Sequence, residues 1–120
     1  MKRILVLEDS LIVRKLLVSL LQARGYTVVE CDSIADAKGR LKNIDLAILD
    51  YQLPDGDGLE IAERLRSYHP GIPMFLLTAR GNRVSEEDAQ KAGIREYMEK
   101  PIDPDAILDA VDLCLNQKAA

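Results

Sequence analysis

The sequence predicts a doubly wound α/β fold: a five-stranded parallel sheet of order 2-1-3-4-5, with helices on both faces in a three-layer (βα)5 sandwich. Three observations lead there. Short apolar runs alternate with amphipathic stretches through all 120 residues, without repeats, linkers or low-complexity segments. Such alternation builds a parallel sheet covered by helices. The first, third and fourth runs (4–7, 46–49 and 73–77) are continuously apolar, as strands buried on both faces are. The second and fifth (26–31 and 94–98) carry Glu30 and Arg95 with Glu96, as edge strands do. Right-handed crossovers then fix the flavodoxin-like order.

Each element has its own signal. Residues 4–7 form the first strand. Ser10 caps a helix through Arg24, with Val13, Leu16, Leu17, Leu20 and Leu21 on one face and Gly25 as the stop. The second strand follows at 26–31. Ser33 with Asp36 starts a second helix in the manner of a capping box. It is expected to run to about Lys42, weakened by Gly39. The third strand, 46–49, ends at Asp50. Residues 58–68 are helical, with Leu59, Ala62 and Leu65 aligned. The fourth strand is 73–77. Ser85-Glu86-Glu87-Asp88 opens a fourth helix that ends at Gly93. It has few large apolar residues beyond Val84, so it is expected to be short, to start near Ser85 and to be the most mobile helix. The fifth strand is 94–98. Asp103 as N-cap and Pro104 at the first helical position start the last helix, whose face is Ile107, Leu108, Val111 and Leu115.

The totals describe one domain, 1–120, large enough for a real core. The composition is 48% apolar and 30% charged, as in ordinary globular proteins. A net charge of −4 argues against direct nucleic-acid binding, which needs a basic face, and gives no attraction to anionic lipid. No apolar run is long enough to span a bilayer. The first apolar run is too short for a signal peptide and stops at an acid, so the expected location is the cytoplasm and no membrane partner is expected. Cys31 and Cys114 lack metal-ligand spacing and read as reduced packing residues. His69, before Pro70-Gly71, reads as a residue at a helix C-terminus.

In such folds the site lies beyond the carboxyl ends of the strands. Glu8 and Asp9 follow the first strand, Asp50 the third, Thr78 the fourth and Lys100 the fifth. Packing alone does not ask for three carboxylates, a hydroxyl and an ammonium on one edge. Crowded acids resist ionisation unless a cation sits among them. Mg²⁺ is the natural one, since it takes oxygen ligands and pairs with phosphate. A phosphoryl group needs a nucleophile, a metal to offset charge, a cation and hydrogen-bond donors. Asp50, the acid pair, Lys100 and Thr78 supply one of each. Without a cation the repulsion should cost stability, so Asp9→Ala is expected to raise the melting temperature in chelator.

The motifs Leu7-Glu8-Asp9, Asp50-Tyr51-Gln52-Leu53-Pro54-Asp55-Gly56-Asp57-Gly58-Leu59, Leu77-Thr78-Ala79, and Ala92-Gly93 followed by Tyr97-Met98-Glu99-Lys100-Pro101 make the chain resemble a response-regulator receiver domain. The likeness is to the chemotaxis regulator type and covers essentially the full length. It implies a phospho-acceptor switch of a two-component phosphorelay. Asp50 would take the phosphoryl group from a histidine kinase or histidine phosphotransfer protein. Asp9, Asp50 and the backbone carbonyl of Gln52 would bind Mg²⁺, with Glu8 acting through a bridging water. Lys100 would pair with phosphoryl oxygens, and the Lys100-Pro101 bond would be cis. Thr78, in the switch motif with Ala79, would donate its hydroxyl and move inward, and Tyr97 would rotate into the space vacated. Gln52 and Arg80 would set the lifetime of the acyl phosphate. The signal would pass to a downstream protein target or output domain through the face of the fourth helix, fifth strand and fifth helix. The resemblance leaves open a phosphorylation-dependent dimer.

Alternatives are weighed on residues. Met1 and the absence of a linker favour a free-standing domain over a receiver cut from a hybrid kinase or transcription factor. A flavodoxin-like cofactor binder needs a hydroxyl- and glycine-rich loop after the first strand, where this chain has Glu8-Asp9-Ser10. A Mg²⁺-dependent phosphohydrolase would need a dedicated acid or base, so no external turnover is expected and the protein reads as a switch rather than an enzyme. Asp55-Gly56-Asp57-Gly58 lacks the downstream ligands of an EF-hand and reads as turn chemistry plus a cap for the third helix.

Overall fold

The structure is a computed structural model that describes residues 1–79, 81 and 84–116. Its elements in chain order are β1 (Arg3–Leu7), α1 (Leu11–Ala23), β2 (Thr27–Cys31), α2 (Ile34–Ala37), β3 (Leu46–Asp50), β4 (Gln52–Leu53), β5 (Gly56–Asp57), α3 (Gly58–Tyr68), β6 (Met74–Thr78), α4 (Glu86–Ala92), β7 (Glu96–Glu99) and α5 (Pro104–Leu115). Five strands form one parallel sheet in the order β2-β1-β3-β6-β7. This is the expected 2-1-3-4-5 arrangement. A two-stranded antiparallel hairpin, β4-β5, stands apart from it.

Alternating side chains divide the core into two halves. Leu5, Leu7, Ala47, Leu49, Met74 and Leu76 pack against Ile34 and Ala37 of α2, Ile61, Ala62 and Leu65 of α3, and Ala89 and Ala92 of α4. Ile4, Val6, Leu46, Ile48, Phe75 and Leu77 pack against Leu17 and Leu21 of α1 and Ile107, Leu108 and Val111 of α5. Every residue of β3 and β6 is buried, which is why their sequences are continuously apolar until the last position. Each fully buried side chain such as Phe75 or Leu76 contributes about 1.5–3 kcal/mol relative to exposure.

The helix signals hold with two corrections. Ser10 caps α1 by accepting from the Val13 N–H, and Gly25 follows its end at φ 90°. The buried stripe is Leu17, Val18 and Leu21. Leu16, expected on that face, is 44% exposed because the stripe is centred one position later. The second correction concerns α2, which closes after a single turn instead of running to about Lys42. Glycine in a helix interior costs about 0.5–1 kcal/mol relative to alanine, and Gly39 stands where a second turn would form. Asn43 then adopts φ 61° and redirects the chain into β3. The fourth helix meets its expected bounds, with Ser85 as N-cap and Gly93 at φ 91° as C-cap. His69 is the C-cap of α3, and both cysteines are free. Among the described residues, no helix is long and apolar enough to cross a membrane.

Candidate functional site

The parallel ladder runs one residue past β1, β3 and β7 and so fixes the backbone at the carboxyl edge. Glu8 N–H bonds to the Cys31 carbonyl (3.0 Å), Tyr51 N–H to Leu77 (2.8 Å) and Lys100 N–H to Thr78 (2.8 Å). The edge thereby gathers Glu8 and Asp9 after β1, Asp50 at the end of β3, Thr78 at the end of β6 and Lys100 after β7. All five are the residues singled out from the sequence.

Glu8 and Asp50 are buried and Asp9 is exposed, and each offers a carboxylate oxygen within 4.8 Å of the other two. Lys100 reaches between the buried pair. Its Nζ donates to Asp50 Oδ2 at 3.2 Å and stands 2.7 Å from Glu8 Oε1, the latter an ionic contact without hydrogen-bond alignment. Glu8 Oε2 accepts from the Ser10 N–H at 2.9 Å. Arg14 holds the same turn from behind: its Nη1 donates to the Glu8 carbonyl (2.8 Å) and its Nε to Glu30 Oε1 (3.1 Å).

The electrostatics follow from burial. Loss of water, and then the neighbouring Glu8 charge, push the Asp50 carboxyl up to about 7, against the opposing pull of Lys100. Burial alone would lower the Lys100 ammonium, but Glu8 and then Asp50 outweigh it and hold it above its ordinary value. Among the described residues one cation is shared by the two buried acids, which leaves the cluster short of positive charge. Thr78 is fully buried and its Oγ1 has no hydrogen-bond partner among the described residues, an arrangement that native structures rarely tolerate without a role.

The remaining sequence-derived residues surround this centre. Ala79 is exposed just past β6. Tyr97, on β7, is 40% exposed, and its hydroxyl accepts from the Val84 N–H at 3.3 Å. Gln52 lies on β4, in a groove shared with Asp9, Tyr51 and Pro54. The Lys100-Pro101 peptide is cis. Arg80 lies outside the described residues.

The structure adds two positions. A Cβ on Gly58 would come within 2.2 Å of the Asp50 carbonyl oxygen, so α3 begins against the main chain of Asp50. Asp57 caps α3 by accepting from Leu59 and Glu60, as its place before the helix suggests. Asp55 caps a different helix: its two carboxylate oxygens accept from the Ile34 and Ala35 N–H groups of α2 at 2.9 and 3.0 Å. Those bonds hold its carboxyl below the usual carboxylate range. No local pattern announces a contact 21 residues away; only the surplus acid beside Asp57 hints at it.

Residues 4–112 match the family described as "Response regulator receiver domain". The chain is 35% identical to the transcriptional regulatory protein YbdJ of Bacillus subtilis over 88% of its own length and 47% of that protein's, so it spans about half of this relative. Among solved structures it resembles the CheY-like response regulator receiver domain protein from Methanospirillum hungatei, with 26% identity, TM-score 0.86, and coverage of 98% of this chain and 95% of that one. It also resembles the BeF3-activated DrrB receiver domain, with 27% identity, TM-score 0.88, and coverage of 97% and 98%.

Proposed function

The chain belongs to the response regulator receiver family, whose members are phospho-acceptor switches of two-component systems, and from that premise we propose that Asp50 is its acceptor. The observation that carries this is the placement of Lys100: a half-buried ammonium on a buried carboxylate at a strand end, with Glu8 and Asp9 alongside. A carboxylate oxygen of Asp50 attacks the phosphorus of a phosphohistidine. The P–O bond forms as the P–N bond breaks, and the electron pair leaves with the imidazole nitrogen of the donor. Water later cleaves the acyl phosphate to inorganic phosphate and free Asp50.

The donor set fits Mg²⁺, which is bound by carboxylate and carbonyl oxygens. Asp9, Asp50 and the Gln52 carbonyl would hold it, with Glu8 acting through water. When bound it offsets the charge of the acids and of the phosphoryl oxygens. Lys100 would neutralise the phosphoryl group, and the Thr78 hydroxyl, without a partner among the described residues, is a donor available to it. Gln52 and Arg80 are assigned to control of the phosphoryl lifetime, and Ala79 to the switch motif with Thr78.

The donor is a histidine kinase or phosphotransfer protein. The exposed apolar side chains of Leu11, Ile12 and Leu16 on α1, next to the acid turn, are a surface suited to a protein partner. The signal leaves through α4, β7 and α5, where the Tyr97 hydroxyl of β7 bonds to the Val84 N–H just before α4, toward a target protein or output domain. The protein acts as a switch without turnover of an external substrate. The two free cysteines support a reducing, cytoplasmic setting.

Incubation with acetyl phosphate and Mg²⁺, followed by intact mass, tests the assignment. The expected result is a gain of one phosphoryl group that is absent in Asp50→Asn. An unlabelled wild type, or a labelled Asp50→Asn, overturns it.

A further inference from the structure

The hairpin β4-β5 forms one wall of the acid site and is fixed at three points. Its Gln52 and Pro54 share a groove with Asp9. On one side Gly58 lies against the Asp50 carbonyl, and Asp57 holds the start of α3. At the tip, Asp55 grips the first N–H groups of α2 with both oxygens. Beside that grip, a Cβ on Gly56 would meet Ile34 Cδ1 at 2.6 Å, so the tip and α2 are in close contact. Ser33 also caps α2 through Asp36 N–H. The helix therefore does not depend on Asp55 for its only cap, and the bidentate contact serves the hairpin as much as the helix.

We propose that Asp55 is a positioning residue for the phosphoryl-transfer site, holding the hairpin against α2 so that the Gln52 main chain is set in place for a divalent cation. This rests on the reading of Asp50, Asp9 and Gln52 as a Mg²⁺ site. Preorganising a ligand lowers the ordering that binding requires, so loss of the grip weakens the cation without touching any atom that reacts. Linkage makes the effect reciprocal: a cation that favours the ordered hairpin also strengthens the Asp55 contact to α2.

The experiment measures Mg²⁺ affinity calorimetrically in unphosphorylated wild type, Asp55→Ala and Asp55→Asn, together with the Mg²⁺ dependence of acetyl-phosphate labelling. Asp55→Ala is expected to weaken Mg²⁺ about tenfold. Its half-saturating Mg²⁺ concentration should rise by the same factor, while the labelling rate at saturating Mg²⁺ is retained. Asp55→Asn, which keeps one of the two acceptor oxygens, should recover part of the affinity. In wild type, saturating Mg²⁺ should slow hydrogen exchange at the Ile34 and Ala35 amides, a readout independent of any variant's folding. Wild-type Mg²⁺ affinity in Asp55→Ala overturns the proposal, as does unchanged exchange at those two amides. If wild type binds no Mg²⁺ and takes no phosphoryl group, the reading of Asp50 fails first, and this proposal with it. If wild type is labelled normally and only the Asp55 effects are missing, this proposal alone fails.

Discussion

Lys100 stands 3.2 Å from Asp50 with Glu8 on its other side, so a single ammonium serves two buried carboxylates. The Asp50 carboxyl is raised to about 7 mainly by burial, whereas in the unfolded chain it titrates near ~3.9. Between those values the native state holds a proton that the unfolded state releases. This contribution to stability is present below pH ~4 and is lost as pH rises through about 7. Lys100, raised, acts only at alkaline pH. Asp55 and Glu30, lowered, act with the opposite sign in the acid range. In chelator, wild type should therefore lose on the order of a few kcal/mol between pH 4.5 and 7.5 relative to Asp50→Asn. Denaturant unfolding of both proteins across that range checks this; parallel profiles would contradict it. Asp9 is exposed, so the repulsion expected there from the sequence resides mostly between Glu8 and Asp50, and Asp9→Ala should raise the melting temperature less than Asp50→Asn does.

Thr78 gives a second test. Among the described residues its buried Oγ1 has no partner, and a buried unsatisfied group costs about 1–3 kcal/mol. Thr78→Val keeps the shape and removes the hydroxyl. It should stabilise the unphosphorylated protein by about 1 kcal/mol, raising the melting temperature by roughly 3–6 °C. It should also slow labelling by acetyl phosphate roughly tenfold or more, since a donor aimed at developing charge is lost. A variant both less stable and equally fast would show that the hydroxyl serves the fold and not the site.

The sheet and the centre of the site were legible because both are written in local pattern. An apolar run that stops at Asp50 states at once a buried strand and the residue at its tip, and the order of strands brings Glu8, Asp9, Thr78 and Lys100 to the same edge. What escaped was non-local or a matter of degree. Whether α2 continues past Gly39 depends on a balance of about 1 kcal/mol per residue. The grip of Asp55 on Ile34 and Ala35 joins segments 21 and 20 residues apart, which no spacing rule reaches. Gly58 looked like turn chemistry, yet its need is the Asp50 carbonyl beside it.

That need makes Gly58→Ala a sharp probe. The new methyl group would lie 2.2 Å from a backbone oxygen, which no side-chain rotation relieves. The expected loss is about 2–3 kcal/mol, with slower labelling because the displaced chain carries Asp50. Gly39→Ala is the contrast: a Cβ there meets open space, and the change should be neutral or stabilising by about 0.4–1 kcal/mol through the unfolded state. Thermal unfolding of the two variants distinguishes them, and equal effects would remove the packing explanation for Gly58.

Tyr97 holds the outward end of the proposed switch. Its hydroxyl accepts from the Val84 N–H at 3.3 Å, and α4 beyond Val84 is only seven residues long with Ala89 and Ala92 as its buried residues. Such a helix has little apolar burial to protect it, so its amides should exchange faster than those of α1 in the resting protein. If phosphorylation turns Tyr97 inward as Thr78 moves, Val84 loses its partner. Beryllofluoride with Mg²⁺ should then speed exchange at the Val84 amide in wild type. In Tyr97→Phe, where that hydrogen bond is already absent, exchange should be fast in both states. An unchanged Val84 amide on activation of wild type would mean that Tyr97 stays on its outer contact and that the signal leaves by another route.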